Sequence, residues 1–270
     1  MSLPLPTSLT PSKVASFKDC ALAFRFSAID RLPEPPSPLA SKGTLVHRAL
    51  ERLFWDVPPG RRTVEVALAQ LEQAWAELEL HPEFAGLDLP PEEQERFLAD
   101  AAELVSNYFR LEDPNGVNAI GVEVRLEAQV GSLRLRGVID RLDLSPEGEL
   151  VVTDYKTGRA PGVGHEASRL GGVQFYAFLC EEALGRRPAR VQLLHLRDPV
   201  AIVSVPTNQS TKGLRLRTAA VWSAVERACA TGDFRPRPSQ LCDYCSFQAY
   251  CPAFGGDPER AREAALAPAG

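Results

Sequence analysis

The most regular stretch of the chain alternates. Over Ala119–Val130, Val122, Val124, Leu126, Ala128 and Val130 take one side, and Glu123, Arg125, Glu127 and Gln129 the other. That is the period of a half-buried strand. Gly131-Ser132 turns the chain into a second run, Leu133–Leu144, and Ser145-Pro146-Glu147-Gly148 separates this from a third, Leu150–Lys156. Such turn-forming residues between apolar runs predict a β-hairpin. Val138, Leu142 and Leu144 share one face of the second strand, and Leu150 and Val152 one face of the third. With Leu144 opposite Leu150, Leu142 meets Val152 and Asp140 meets Asp154, their Cβ atoms roughly 4.5–5.5 Å apart. Two carboxylates facing each other on an apolar surface are destabilising alone. A divalent cation held by both would remove the conflict, and Lys156, on the same face, would point at the same ion.

Elsewhere the period is helical. From about Thr44, TLVHRALERLFW carries an apolar stripe of Val46, Ala49, Leu50, Leu53 and Phe54, with His47 at its edge. By position alone that histidine reads as structural. Ser12 or Ser16 would cap a short first helix bearing Val14, Phe17 and Cys20, and Leu32–Ser41 reads as a proline-rich loop. Two acidic helices follow, at about Val64–Leu80 and Pro91–Glu112. After Thr157-Gly158 comes a glycine-rich loop, then a helix through Tyr176 to Leu184, closed by Gly185. VQLLHL and AIVSVP are two more strands, and Leu214–Ala230 is a last helix. This order predicts an α/β fold with a mixed central sheet flanked by helices. One domain over 1–270 is expected, with a helical insertion at about 56–115 and a flexible tail at 255–270.

Composition narrows the class. The net charge of −5 does not advertise nucleic-acid binding, yet a basic groove can coexist with acidic helices. No run of 18 apolar residues suggests a membrane span, and MSLPLPTSLTPS lacks the basic and apolar regions of a secretory signal, so a cytoplasmic location is expected. In that compartment six cysteines suggest metal before disulfide. Cys242, Cys245 and Cys251 cluster as C-x2-C-x5-C, Cys20 lies far upstream, and Cys180 and Cys229 read as buried free thiols in helices. No G-x4-G-K-[ST] loop is present, so the chain has no ATP-driven motor of that type.

Asp140, followed by Asp154-Tyr155-Lys156, resembles the D…(D/E)-x-K signature of the PD-(D/E)xK nuclease superfamily. GVIDRLD and VVTDYKTG are similar to its RecB-type branch, and Gly43–Glu51, GTLVHRALE, resembles that branch's upstream helix. The resemblance implies a restriction-endonuclease-like core in which His47, Asp140 and Asp154 hold Mg²⁺ or Mn²⁺, with the Tyr155 carbonyl as a backbone ligand. Lys156 would be catalytic. The branch carries a Q-x-x-x-Y motif on the next helix; here Gln174 is followed by Tyr176 at i+2, so Tyr176 is the better anchor. Glu123 resembles a glutamate of the family's first strand, although the alternation puts it on the polar side. Cys20, Cys242, Cys245 and Cys251 match the one-plus-three arrangement of members with a 4Fe-4S cluster, which implies a cluster region at about 234–254 plus Cys20. A four-cysteine zinc site is the competing reading.

The activity so implied is metal-dependent hydrolysis of DNA. An exonuclease acting on single strands or ends in repair or recombination leads, with a helicase or repair protein as partner. A nuclease trimming DNA for CRISPR spacer acquisition and a catalytically silent DNA-binding subunit are the alternatives. Arg136, Arg141, Arg159 and Arg169 would grip the phosphate backbone.

Overall fold

The computed structural model describes residues 2–160 and 166–261, with side chains over 166–173 left out of the description. Of the expected tail at 255–270, residues 262–270 lie outside the described residues, as does the side chain of Arg169; within 255–261, Glu259 pairs with Arg25 and Ala261 is buried. The chain forms two compact units. The larger comprises Pro36–Leu126 and Gly137–Thr211; the smaller comprises the described parts of 1–35, 127–136 and 212–270.

In the larger unit, α3 (Pro38–Asp56) follows the short α1 (Pro11–Asp19) and α2 (Ala21–Phe24) of the smaller one. It starts six residues before Thr44, inside the stretch that reads as a loop. Pro38 is the reason: at the first helical position proline sacrifices only an amide that has no partner anyway. The predicted stripe of Val46, Ala49, Leu50, Leu53 and Phe54 is buried. It packs with α4 (Val64–Leu78), the single turn α5 (Pro82–Ala85) and α6 (Pro91–Tyr108) through Ala67, Leu71, Ala74, Phe84, Ala101 and Val105.

Five strands follow in the spatial order of the sequence: β1 (Ala119–Val130), β2 (Leu133–Leu144), β3 (Leu150–Lys156), β4 (Arg190–His195) and β5 (Val200–Ser204). The β2–β3 hairpin has the predicted register, with Leu144 opposite Leu150 and Leu142 opposite Val152. β3 and β4 run parallel, as a connection through the long helix α7 (Glu166–Leu184) allows, and β5 returns antiparallel. The result is a mixed sheet flanked by helices, the restriction-endonuclease-like architecture.

The hairpin departs from the sequence reading on its second face. Val138 is partly exposed, and the charged positions Arg141 and Asp143 are buried. Arg141 therefore offers nothing to a phosphate backbone. Its guanidinium bonds Asp143 through Nε (2.8 Å) and Nη2 (3.0 Å), reaches the hydroxyls of Tyr155 (2.9 Å), Tyr108 (3.1 Å) and Thr153 (3.2 Å), and pairs with Glu112. It also lies 4.5 Å from the centroid of the Phe54 ring. A buried charge persists only when paired and hydrogen-bonded in this way.

In the smaller unit, Leu9 bridges Leu135 in parallel, and Leu3 donates to the Cys229 carbonyl at 2.8 Å. Thr10, rather than Ser12 or Ser16, caps α1 by accepting from the Lys13 amide at 3.2 Å. α8 (Asn208–Thr231) spans the predicted last helix. Cys180 and Cys229 are buried free thiols on α7 and α8, as their sequence context implies. No helix among the described residues is long and apolar enough to cross a membrane.

Candidate active site

Four elements of the larger unit bring charged side chains together. α3 supplies His47, β1 Glu123, β2 Asp140, and β3 Asp154 with Lys156. His47 Nδ1 lies 3.6 Å from Asp140 Oδ1, and its Nε2 lies 3.2 Å from the Tyr155 carbonyl oxygen. The other Asp140 oxygen, Oδ2, accepts from the Tyr155 amide at 2.6 Å. The ligand atoms of His47, Glu123 and Asp140 all lie within 4.8 Å of one another. Asp154, almost wholly buried, is paired with Lys156, whose side chain is 43% exposed. From α7, Tyr176 faces the same carboxylates: burial first, then the charges of Asp154 and Asp140, raise its phenol above the usual range. His47 thus stands beside Asp140 and Glu123, while the Asp154 carboxylate is engaged by Lys156.

The electrostatics are those of crowded negative charge. Burial, then the charge of Asp140, raises the Glu123 carboxyl to about 7. Asp154 is raised mainly by burial, and Asp140 adds to that while Lys156 opposes it. Burial alone would lower the His47 imidazole, but the carboxylates of Asp140, Asp154 and Glu123 outweigh it and hold the pKa up. Burial thus sets the direction for the two carboxylates, and neighbouring carboxylates set it for the histidine.

Glu123 is the residue that periodicity misplaces. Alternation assigns it to solvent, whereas its backbone adopts φ 49°, in the left-handed region, and the pleat breaks there as at a bulge. The local signal is Gly121: a Cβ at that position would approach Val124 Cγ2 to 2.6 Å, so only glycine fits the bend. Gly137 has a similar role opposite α7, where a Cβ would meet Leu179 at 2.8 Å and the Tyr176 ring at 3.3 Å. A side chain there would displace Leu179 and the Tyr176 ring. Gln174, two residues earlier on α7, is half-buried.

The other expected residues are dispersed. Arg159 is exposed and borders a polar recess with Lys42, Asp100, Arg197 and Asp198. Arg136 is exposed in the smaller unit, ion-paired with Glu127 at 2.8 Å. Cys20, Cys242, Cys245 and Cys251 line one cavity of about 450 Å³ in that unit. The amides of Arg237 and Ser239 point at the Cys20 and Cys242 sulfurs, at 3.5 and 3.4 Å.

A sheet of this topology with carboxylates and a lysine at one hairpin defines a class, and comparison with known proteins identifies it. The model of the PD-(D/E)XK nuclease superfamily matches residues 8–252, and the chain belongs to that superfamily. It is 24% identical over 266 residues to the Gene 69 protein of Mycobacterium phage D29, covering 90% of this chain and 96% of that protein. The Gene 69 protein of Mycobacterium phage L5 is 29% identical over 136 residues, 49% of this chain and 44% of that one. Among solved structures, an exonuclease candidate from Eubacterium rectale aligns with a TM-score of 0.49 and 13% identity, covering 88% of this chain and 86% of that one. Nucleases of this superfamily use divalent metals, and His47, Glu123 and Asp140 form an acidic site of the kind that can hold one.

Proposed function

We propose that the protein is a metal-dependent deoxyribonuclease, an exonuclease hydrolysing phosphodiester bonds of single strands or DNA ends. The observation that carries this reading is the convergence of His47, Glu123 and Asp140 beside the Asp154–Lys156 pair. The donor set fits a hard divalent cation: carboxylates suit Mg²⁺, and the imidazole tilts the preference toward Mn²⁺. His47, Glu123, Asp140 and Asp154 would hold it, with the Tyr155 carbonyl within reach. When bound, the ion supplies a more acidic water and a polarised phosphoryl oxygen. Lys156 neutralises charge that develops on the phosphate, and Tyr176 positions substrate or Lys156. End-labelled single- and double-stranded DNA, incubated with Mg²⁺, Mn²⁺ or EDTA, tests this. Cleavage progressing from an end in both metals and absent in EDTA is expected; cleavage that persists in EDTA sinks the reading.

The metal site makes its own prediction. Glu123→Gln removes one ligand charge and should weaken Mn²⁺ binding at least about tenfold, as measured by calorimetry. Wild-type affinity in that variant would return Glu123 to the solvent role that alternation suggests.

We further propose that the four cysteines hold a 4Fe-4S cluster. The support is their common cavity, the two amides aimed at sulfur, and the one-plus-three spacing in which Pro252 directly follows Cys251. Such a centre would close a loop of more than 200 residues, worth about 5.4 kcal/mol in the chain-entropy model. Anaerobically purified protein should contain iron and sulfide. Cys20→Ala should lose both and melt lower, whereas Cys180→Ala should keep them. Stoichiometric zinc without iron would reject the cluster.

A further inference from the structure

The residue between Asp154 and Lys156 is tied into the site by its main chain and held from the other face of the sheet by its side chain. Strand alternation sends the Asp154 carboxylate to one face and the Tyr155 ring to the other. The Tyr155 peptide groups meanwhile touch the site: its amide donates to Asp140 Oδ2 at 2.6 Å, and its carbonyl oxygen lies 3.2 Å from His47 Nε2. Any shift of Tyr155 therefore displaces Asp140 and His47 and both sequence neighbours at once.

The far side fixes Tyr155 closely. Its ring is buried and packs edge-on against Tyr108, centroids 5.8 Å apart; it also meets the site's own His47 edge-on at 5.9 Å, so the ring reaches the site as well as the far side. Its hydroxyl takes a hydrogen bond from Arg141 Nη1 at 2.9 Å. Arg141 is locked in turn by a two-point fork to Asp143, 2.8 and 3.0 Å, and by Thr153, directly opposite across the hairpin. A planar guanidinium with its fork engaged has one orientation left, unlike a lysine ammonium. We propose that Arg141 and the Tyr155 phenol form a positioning device that sets the spacing of the metal-binding groups from behind the sheet. The inference rests on the proposed metal site, and neither residue need touch the substrate. The alternative is that the network merely holds the helical layer to the sheet.

Metal affinity at comparable stability separates the two. Tyr155→Phe removes one oxygen and leaves Arg141 with Asp143, Glu112 and Thr153. Leu71→Ala takes a buried side chain from the same apolar cluster and removes no polar atom of the network. Wild type and both variants are titrated with Mn²⁺, the free ion being followed by electron paramagnetic resonance, at a temperature where circular dichroism shows each to be folded. Tyr155→Phe should bind Mn²⁺ about tenfold more weakly and show a lower kcat on end-labelled DNA with KM unchanged. Leu71→Ala should melt lower yet keep the wild-type Mn²⁺ affinity. Unchanged affinity in Tyr155→Phe, or equal weakening in Leu71→Ala, overturns the positioning role alone. A wild type that binds no Mn²⁺ overturns the metal site itself, and this inference with it.

Discussion

Replacing Lys156 with methionine is expected to lower the rate of DNA cleavage about 10²–10³-fold while DNA affinity changes little. The side chain is 43% exposed, so its loss opens no core cavity. What disappears is a positive charge close to Asp154, where negative charge builds up on the phosphate during hydrolysis. Groups aimed at developing charge act on kcat rather than on ground-state binding, and single donors of this kind carry effects of that size. Single-turnover cleavage at saturating Mn²⁺, beside a binding isotherm in EDTA, checks both halves. A variant that cleaves at the wild-type rate would remove Lys156 from the chemistry.

The second large effect is on stability. Arg141→Met should destabilise the protein by about 3–5 kcal/mol, because Asp143 and Glu112 would be left without the cation that compensates them. A fall in Tm of roughly 10 °C follows for a chain of this size. Adding Asp143→Asn and Glu112→Gln should recover part of the loss, since the uncompensated charge, not the missing contact, dominates it. A loss below about 1 kcal/mol would mean that the network is solvated in a way its burial does not suggest. Thermal and urea unfolding measure it.

These two residues also show how far the sequence was legible. Lys156 could be placed from spacing alone, because turn residues and matching apolar runs determine the hairpin register, and the register decides which side chains face each other. His47 needed the family resemblance, since a histidine at a stripe edge has no local signature of metal binding. Arg141 was misread as solvent-facing. Its partner Glu112 follows the end of α6, 29 residues away, and only tertiary structure brings that carboxylate over the strand. Glu123 failed for a backbone reason: one left-handed residue reverses the sense of an otherwise regular alternation. The early start of α3 was hidden by prolines that read as a loop but sit where a helix tolerates them. The division into two units was equally hidden, because the smaller one gathers the described parts of 1–35 and 212–270 with the tip of a hairpin at 127–136.

That gathering sets an order of events during synthesis. The first 35 residues leave the ribosome early, but Phe247, Tyr250 and Glu259, which pack against Phe26 and Arg25, come from the last part of the chain. At about 5–20 residues per second, the arm waits on the order of ten to forty-five seconds for them. Residues 36–211 emerge in that interval with the helical layer and the rest of the sheet, so the β2–β3 hairpin can fold before the cysteine loop is translated. During the delay Phe26 lacks the rings of Phe247 and Tyr250 that pack against it in the folded unit.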